Sequence, residues 1–189
     1  PELTDQDGNK VRFFDDLVRG KVVLINFFFT TCDSYCSFDT ARLLRVKQLL
    51  GDRVGKDIYF YSISVDPTND TPEVLRNYRS RFKIDKGWTF LTGYDADITA
   101  MRITLGLKTV GVDQSNKDHS LAVLVGNERT GQWMRRSSMD QADVMAKLLG
   151  ENLSEWQTPV GNHRNYSEAP SRIDGKTEGE LLFKSRCSC

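Results

Sequence analysis

The sequence lacks long apolar runs and any excess of charge. No stretch approaches the ~20 consecutive apolar residues that a membrane helix needs. Basic and acidic residues number 26 each, so the formal net charge is zero, and no long block of one sign occurs. This balance argues against nucleic acid or an anionic membrane surface as a partner. A length of 189 residues is enough for one domain with a real core and an appendage.

Histidine and cysteine are also scarce, which makes their positions informative. The two histidines are His119 and His163, and the four cysteines form the close pairs Cys32/Cys36 and Cys187/Cys189. Close pairs are more typical of redox or metal chemistry than of a distributed disulfide framework. The pairing does not by itself fix the cellular compartment.

Alternating buried runs and helical patterns predict an α/β sheet layered by helices. A turn at Asp7-Gly8-Asn9 predicts an N-terminal β-hairpin within residues 3–13. Strands are predicted at 21–29, 57–65, 88–91, 120–125 and 132–136, and helices at 33–50, 72–82, 95–105 and 140–149. This order favours a thioredoxin-like fold of the peroxiredoxin-like variant, with a polar C-terminal extension. The predicted domain spans residues 1–151, and residues 152–189 have the composition of a linker or extension.

Several helix details follow from local signals. In the helix after the first long strand, Phe38, Ala41, Leu44 and Leu49 lie close to helical spacing. Asp70 or Thr71 is expected to cap the next helix, with Pro72 at its first position. The remaining expectations are a cap at Asp95 and inward-facing Val144, Leu148 and Leu149.

The pair Cys32/Cys36 follows the apolar run 22–29 and precedes the predicted helix. At such a strand–helix junction, free amide N–H groups and the positive helix end stabilise a thiolate. A spacing of four also places both sulfurs on one helical face if the first turn has formed. The pair therefore suits a soft metal ion or a disulfide, and a purely structural disulfide or two core thiols is the plainer alternative.

His119 supplies a third candidate ligand. A thioredoxin-type dithiol has two residues between its cysteines and a cis-proline before the later strand, whereas this chain has three residues and no proline at 108–125. Asp118 and His119 stand there instead. Two thiolates and an imidazole suit Cu(I) and can accept Cu(II), while zinc usually requires a fourth ligand. His163 lies in the polar tail and is interpreted as solvent-exposed.

Two acidic residues follow the strand predicted at 57–65, at the edge where open α/β sheets build their sites. Asp66 could orient a ligand or a nearby donor, or it could simply form a turn with Pro67. Asp70 is interpreted as a helix cap. Asp118, directly before His119, could likewise orient a ligand or a nearby donor.

Four segments in the same order resemble the Sco/SenC family of copper-binding, thioredoxin-fold proteins across residues 3–150. They are Phe-Phe-Phe-Thr-Thr-Cys-Asp-Ser-Tyr-Cys (27–36), Ser-Val-Asp-Pro-Thr-Asn-Asp-Thr-Pro-Glu (64–73), Phe-Leu-Thr-Gly (90–93) and Asp-His-Ser (118–120). The resemblance implies copper held by Cys32, Cys36 and His119. It also implies a role in assembling the copper centre of a respiratory oxidase, by copper delivery or by reduction of the receiving cysteines. An extracytoplasmic location, in a bacterial periplasm, follows from the same resemblance, with a membrane anchor or signal expected before Pro1.

The chain departs from the family pattern at three positions. Asp33 and Ser37 stand where the family usually has proline after each cysteine, and Asn69 replaces a usual arginine. These changes keep the ligands and alter the rigidity of the loop.

Two enzymatic alternatives remain. The first is a thiol–disulfide oxidoreductase that uses Cys32 and Cys36 as a redox pair to reduce cysteines of a partner protein. The second is a peroxidase on the related peroxiredoxin scaffold, which usually shows Pro-x-x-x-Thr-x-x-Cys before its reactive thiol. The residues around Cys32 do not match that pattern, so the peroxidase ranks last.

The tail contains a separate pattern. Gly-Glu-Leu-Leu-Phe-Lys-Ser-Arg-Cys (179–187) resembles the lead-in to a c-type haem motif. A cysteine and a histidine at the two positions after Cys189 would complete it and would imply haem c in a further C-terminal domain. The alternatives are a flexible arm in which Cys187 and Cys189 exchange thiols or copper with the main site, and an exposed thiol pair without function.

Overall fold

The computed structural model describes residues 1–31, 35–107 and 121–151, apart from the side chains of residues 35 and 36. Its strands are β1 (Glu2–Asp5), β2 (Lys10–Arg12), β3 (Val22–Phe28), β4 (Ile58–Ser64), β5 (Trp88–Thr92), β6 (Ala122–Asn127) and β7 (Gln132–Ser137). Its α-helices are α1 (Tyr35–Leu50), α2 (Pro72–Arg81), α3 (Asp95–Thr104) and α4 (Ala142–Gly150). Short helical turns occupy Phe13–Val18 and Gly51–Arg53.

The strands form one sheet in the order β2-β1-β5-β4-β3-β6-β7. β3, β4 and β5 run parallel, and β6 pairs antiparallel with β3 on its other side. This mixed sheet with helices on both faces confirms the predicted thioredoxin-like α/β architecture. The N-terminal hairpin is also confirmed, and β1 joins the sheet through β5.

β3 is an interior strand between β4 and β6, and all seven of its residues are buried. Alternate side chains of a strand point to opposite faces, so Leu24 and Phe28 belong to a core with α1, α2 and α4. Val23 and Ile25 belong to the other core, with α3 and the turn at 13–18. The two cores fix the position of β3 and therefore of the residues that follow it.

Some local expectations were wrong. The turn at 13–18, which buries Phe13 and Val18, was not predicted. α3 begins after Tyr94 and has no side-chain cap, so Asp95 lies in the first turn of the helix and does not cap it. Val144 is exposed on α4 and does not face inward, although Leu148 and Leu149 are buried as expected. No helix among the described residues combines the length and the apolar character needed to cross a membrane.

Candidate functional site

The carboxyl ends of β3, β4 and β5 meet at one edge of the sheet because the three strands are parallel. β6 begins at this same edge because it runs antiparallel to β3, with Val123 opposite Asn26. The sequence segments that carry the predicted site residues therefore all attach to this edge. We call it the site edge.

Cys32 and His119 lie outside the described residues, and of Cys36 only the backbone is described. Cys32 comes directly after residue 31, the last described residue that follows β3. Cys36 belongs to the first turn of α1, although its side chain is not described. Asp118 and His119 precede Leu121, where the description resumes just before β6. The backbone thus brings the chain on either side of these residues to the site edge. Among the described side chains, no three of His, Cys, Asp and Glu come together as a metal site would require.

Asp70 is the most constrained polar residue at the site edge. It is fully buried, and the backbone N–H of Thr30 donates to its Oδ2 at 3.1 Å. The Thr30 hydroxyl donates to Oδ1, and the Ser64 hydroxyl donates to Oδ2. One carboxylate thus joins the end of β3 to the end of β4. Its partner Thr30 lies two residues before Cys32.

The expectation that Asp70 caps α2 was wrong. Thr71 is the N-cap, and its side chain accepts a 3.4 Å hydrogen bond from the Val74 N–H. The signal was present in the sequence, since Pro72 at the first helical position makes the residue directly before it the cap. Asp70 lies one position before the N-cap, and its side chain is buried in the protein.

Asp66 is held in a compact loop after β4. Its N–H donates to the Ser64 hydroxyl at 3.0 Å, and its carbonyl accepts from the N–H of Asn69 and of Asp70 at 3.1 and 2.9 Å. The Asn69 side-chain amide donates to the Asp66 carboxylate at 2.9 Å. Asp66 therefore forms the turn that its neighbour Pro67 suggested, and it also lies at the site edge as predicted.

A second set of contacts joins α1 to the start of β6. The Arg42 guanidinium donates to the carbonyls of Ser138, Met139 and Asp140 at 3.0, 2.7 and 2.9 Å. The Ser138 N–H donates to the Leu121 carbonyl at 2.7 Å. The helix that begins beside Cys36 is thus tied to the strand that begins after His119. Sequence reasoning missed this contact, because nothing local marks a residue about a hundred positions away as a partner.

We expect Arg42→Ala to lower the free energy of unfolding by about 1–3 kcal/mol, since it leaves three carbonyls without their donor. Arg45→Ala is the matched control on the same helix, because Arg45 donates only a long 3.4 Å bond to Gln48 at the surface. The control should change stability by less than about 0.5 kcal/mol. Equilibrium urea unfolding measures both, and equal losses would contradict a specific role for Arg42.

Large hydrophobic side chains are exposed around the site edge. Phe38 in the first turns of α1, Tyr94 after β5 and Met139 after β7 are 49%, 75% and 45% exposed. A single exposed apolar residue needs no explanation. The strand order places β4, β3 and β6 between β5 and β7, so Tyr94 and Met139 are separate exposed residues of the site edge.

The chain is similar to known proteins over most of its length. A family model described as SCO1/SenC matches residues 2–151. An SCO2-like protein of Rickettsia typhi is 36% identical over 159 residues, which cover 80% of this chain and 73% of that protein. The SCO1 protein homolog of Bacillus subtilis is 35% identical over 92 residues, 48% of this chain, and the chain spans about half (46%) of the length of that relative. The solved structure of Bradyrhizobium japonicum ScoI with copper bound has a TM-score of 0.63 and 26% identity, and covers 80% of this chain and 96% of its own.

Proposed function

The chain belongs to the SCO1/SenC family, and we propose that it binds copper through Cys32, Cys36 and His119 and serves in assembly of the copper centre of a respiratory oxidase. Copper is its cargo, delivered to a copper-accepting oxidase subunit or to another copper protein. Bradyrhizobium japonicum ScoI, which is similar over most of this chain, has a structure with copper bound.

The common edge reached by β3, α1 and β6 is the observation that supports this ligand set. The antiparallel register pairs Val22 with Asn127 and Asn26 with Val123. β6 therefore begins beside the end of β3 that leads to Cys32, and its first residue, Ala122, follows His119 by three positions in the sequence. The donor set fits the cargo, since two thiolates and an imidazole form a soft site that suits copper.

The cysteines would hold copper only in their reduced form and would form a disulfide when oxidised. Ligation needs deprotonated thiols and a neutral imidazole, so copper loading should depend on both redox state and pH. Asp66 and Asp118 would orient ligands or neighbouring donors, as outer partners of metal ligands do. Transfer to the partner would proceed by exchange of soft ligands.

The proposed setting is extracytoplasmic, in a bacterial periplasm, with the protein tethered to a membrane or secreted. The proposed division is a Sco domain at 1–151 and an extension at 152–189. Residues 152–189 lie outside the described part of the chain, so haem c in a further domain, and any role of Cys187 and Cys189, rest on the sequence pattern alone.

Anaerobic titration with Cu(I) against a competing chelator tests the proposal. The protein is the full chain with Cys187→Ser and Cys189→Ser, so that the tail thiols do not contribute. We expect one tight equivalent, weakened by about tenfold or more in His119→Ala, because loss of a direct ligand should cost at least as much as loss of an outer partner.

The matched control is His163→Ala, which should bind like the parent. If the parent binds no copper tightly, the proposal fails and the thiol–disulfide oxidoreductase becomes the better description. In that reaction the Cys32 and Cys36 thiols are oxidised to a disulfide while a disulfide of the partner is reduced to two thiols. Reduction of a model disulfide substrate without metal would then measure it.

A further inference from the structure

We propose that Asp70 is a positioning residue for the cysteine pair. By fixing the backbone at Thr30, it sets both the affinity of the pair for copper and the tendency of Cys32 and Cys36 to form a disulfide. The copper half of this inference rests on the proposed function, and the disulfide half does not.

The burial of Asp70 is the first reason. A carboxylate removed from water is costly unless hydrogen bonds compensate it. Asp70 is fully buried, and its described compensation comes from the Thr30 N–H, the Thr30 hydroxyl and the Ser64 hydroxyl. Capping of α2 does not account for it, because Thr71 performs that task. The carboxylate is therefore placed to hold Thr30.

The position of Thr30 is the second reason. The ladder between β3 and β4 reaches the pair Phe28 and Ser64, and the Val65 N–H still donates to the Phe28 carbonyl at 2.8 Å. Beyond that bond the Asp70 side chain replaces the ladder by accepting from Thr30. The backbone of Thr30 is thereby hydrogen-bonded just beyond the end of the ladder, and it is two positions before Cys32.

Ser64 extends the anchor to the neighbouring loop. Its hydroxyl donates to Asp70 and accepts from the Asp66 N–H at 3.0 Å. The chain before the cysteines and the loop that carries Asp66 thus share one buried carboxylate. A substitution at Asp70 should therefore alter both segments, whereas a substitution in β4 away from Ser64 should alter neither.

Removing Asp70 should act on the disulfide through the backbone. A freer backbone at Thr30 raises the entropic cost of bringing the two sulfurs together. This cost favours the reduced pair, so the disulfide should become easier to reduce. Copper affinity should fall, because the ligands are no longer held ready for the metal.

The test compares Asp70→Ala, Asp70→Asn and Thr30→Val with Ser62→Ala, all in the full chain that carries Cys187→Ser and Cys189→Ser. Ser62 is a matched control on β4, the strand that carries Ser64, since it is also buried and its hydroxyl bonds the Asn26 side chain and the Trp88 indole at 2.7 and 2.8 Å. Its removal costs a buried hydroxyl without touching Asp70. Circular dichroism and urea unfolding establish which variants fold.

The first measurement is the equilibrium with glutathione, in which the protein disulfide and two reduced glutathiones exchange for the protein dithiol and one oxidised glutathione. We expect Asp70→Ala to shift this equilibrium about tenfold toward the dithiol, which corresponds to about 30 mV. Asp70→Asn keeps the shape and one acceptor and should shift it less. Thr30→Val should shift it in the same direction, and Ser62→Ala should not shift it.

The second measurement is the Cu(I) titration on the same proteins. Asp70→Ala should bind about 10–100-fold more weakly than the parent, as for loss of other outer partners. If the parent binds no copper, the proposed function fails, and the glutathione equilibrium alone decides the role of Asp70. A folded Asp70→Ala with the glutathione equilibrium of the parent would overturn the inference. Should the Asp70 variants not fold, an unshifted Thr30→Val would overturn it equally.

Discussion

Cys36→Ser is expected to abolish tight Cu(I) binding. A serine hydroxyl is a hard, protonated group at neutral pH, whereas Cu(I) prefers thiolate, so the substitution removes one of three soft donors. Loss of an outer partner of a metal ligand already costs about 10–100-fold, and loss of a direct ligand should cost more. The measurement is the anaerobic competition titration in the full chain with Cys187→Ser and Cys189→Ser.

Ser37→Ala is the matched control for that variant. It changes the next residue of α1 and leaves every proposed ligand in place, so its affinity should match that of the parent. A Cys36→Ser protein that binds with nearly parental affinity would remove Cys36 from the ligand set. Equal loss in both variants would instead point to disturbance of the helix start.

The strands could be predicted because their apolar and aromatic composition indicates that they are buried. β3 has an apolar and aromatic run, interrupted only by Asn26, because both of its faces are covered. Once β3 and β4 are parallel, the residues after them must share an edge, and this places Asp66 at the site edge. That edge could therefore be located from the sequence without knowledge of any contact, whereas the ligand set stays a prediction.

The face of α1 that is buried could not be predicted as well from the sequence. The spacing of Phe38 and Leu49 correctly indicated a helix, yet both side chains are exposed, and Leu43, Val46 and Leu50 make the core contacts. Several apolar residues share this helix, and periodicity alone does not say which set meets the sheet. Packing against β3 and α4 makes that choice.

Contacts between distant residues could not be predicted. The Asp70 carboxylate meets Thr30 forty positions away, and Arg42 meets the carbonyls after β7. Asp, Thr and Pro in a row satisfy a local capping pattern, so the sequence alone favours a local role for Asp70. The folded sheet decides between the cap and the long-range bond, since it alone brings the ends of β3 and β4 together.

Gly87→Ala is expected to destabilise the protein by about 2–5 kcal/mol. Gly87 has φ of +83°, and an added Cβ would lie 2.4 Å from the Gly55 nitrogen and 2.6 Å from the Val54 carbonyl carbon. The left-handed conformation costs about 1–2 kcal/mol for a residue with a side chain, and overpacking adds about 1–3 kcal/mol. The Gly87 carbonyl also accepts from the Phe60 N–H at 2.9 Å, so the backbone cannot move away without loss to the sheet. Urea unfolding measures the change.

Gly106→Ala separates the two costs, because Gly106 has φ of +68° but no atom within 4 Å of the added Cβ. It should lose only about 1–2 kcal/mol, and an equal loss in both variants would refute the steric part. Gly87 lies before β5, at the opposite end of the parallel strands from the site edge. Folded Gly87→Ala should therefore keep the parental copper affinity and glutathione equilibrium despite its greater loss of stability. Asp70→Ala should instead change the copper affinity and the glutathione equilibrium, because Asp70 holds the chain before Cys32. Gly87 permits the packing of two strands far from that chain.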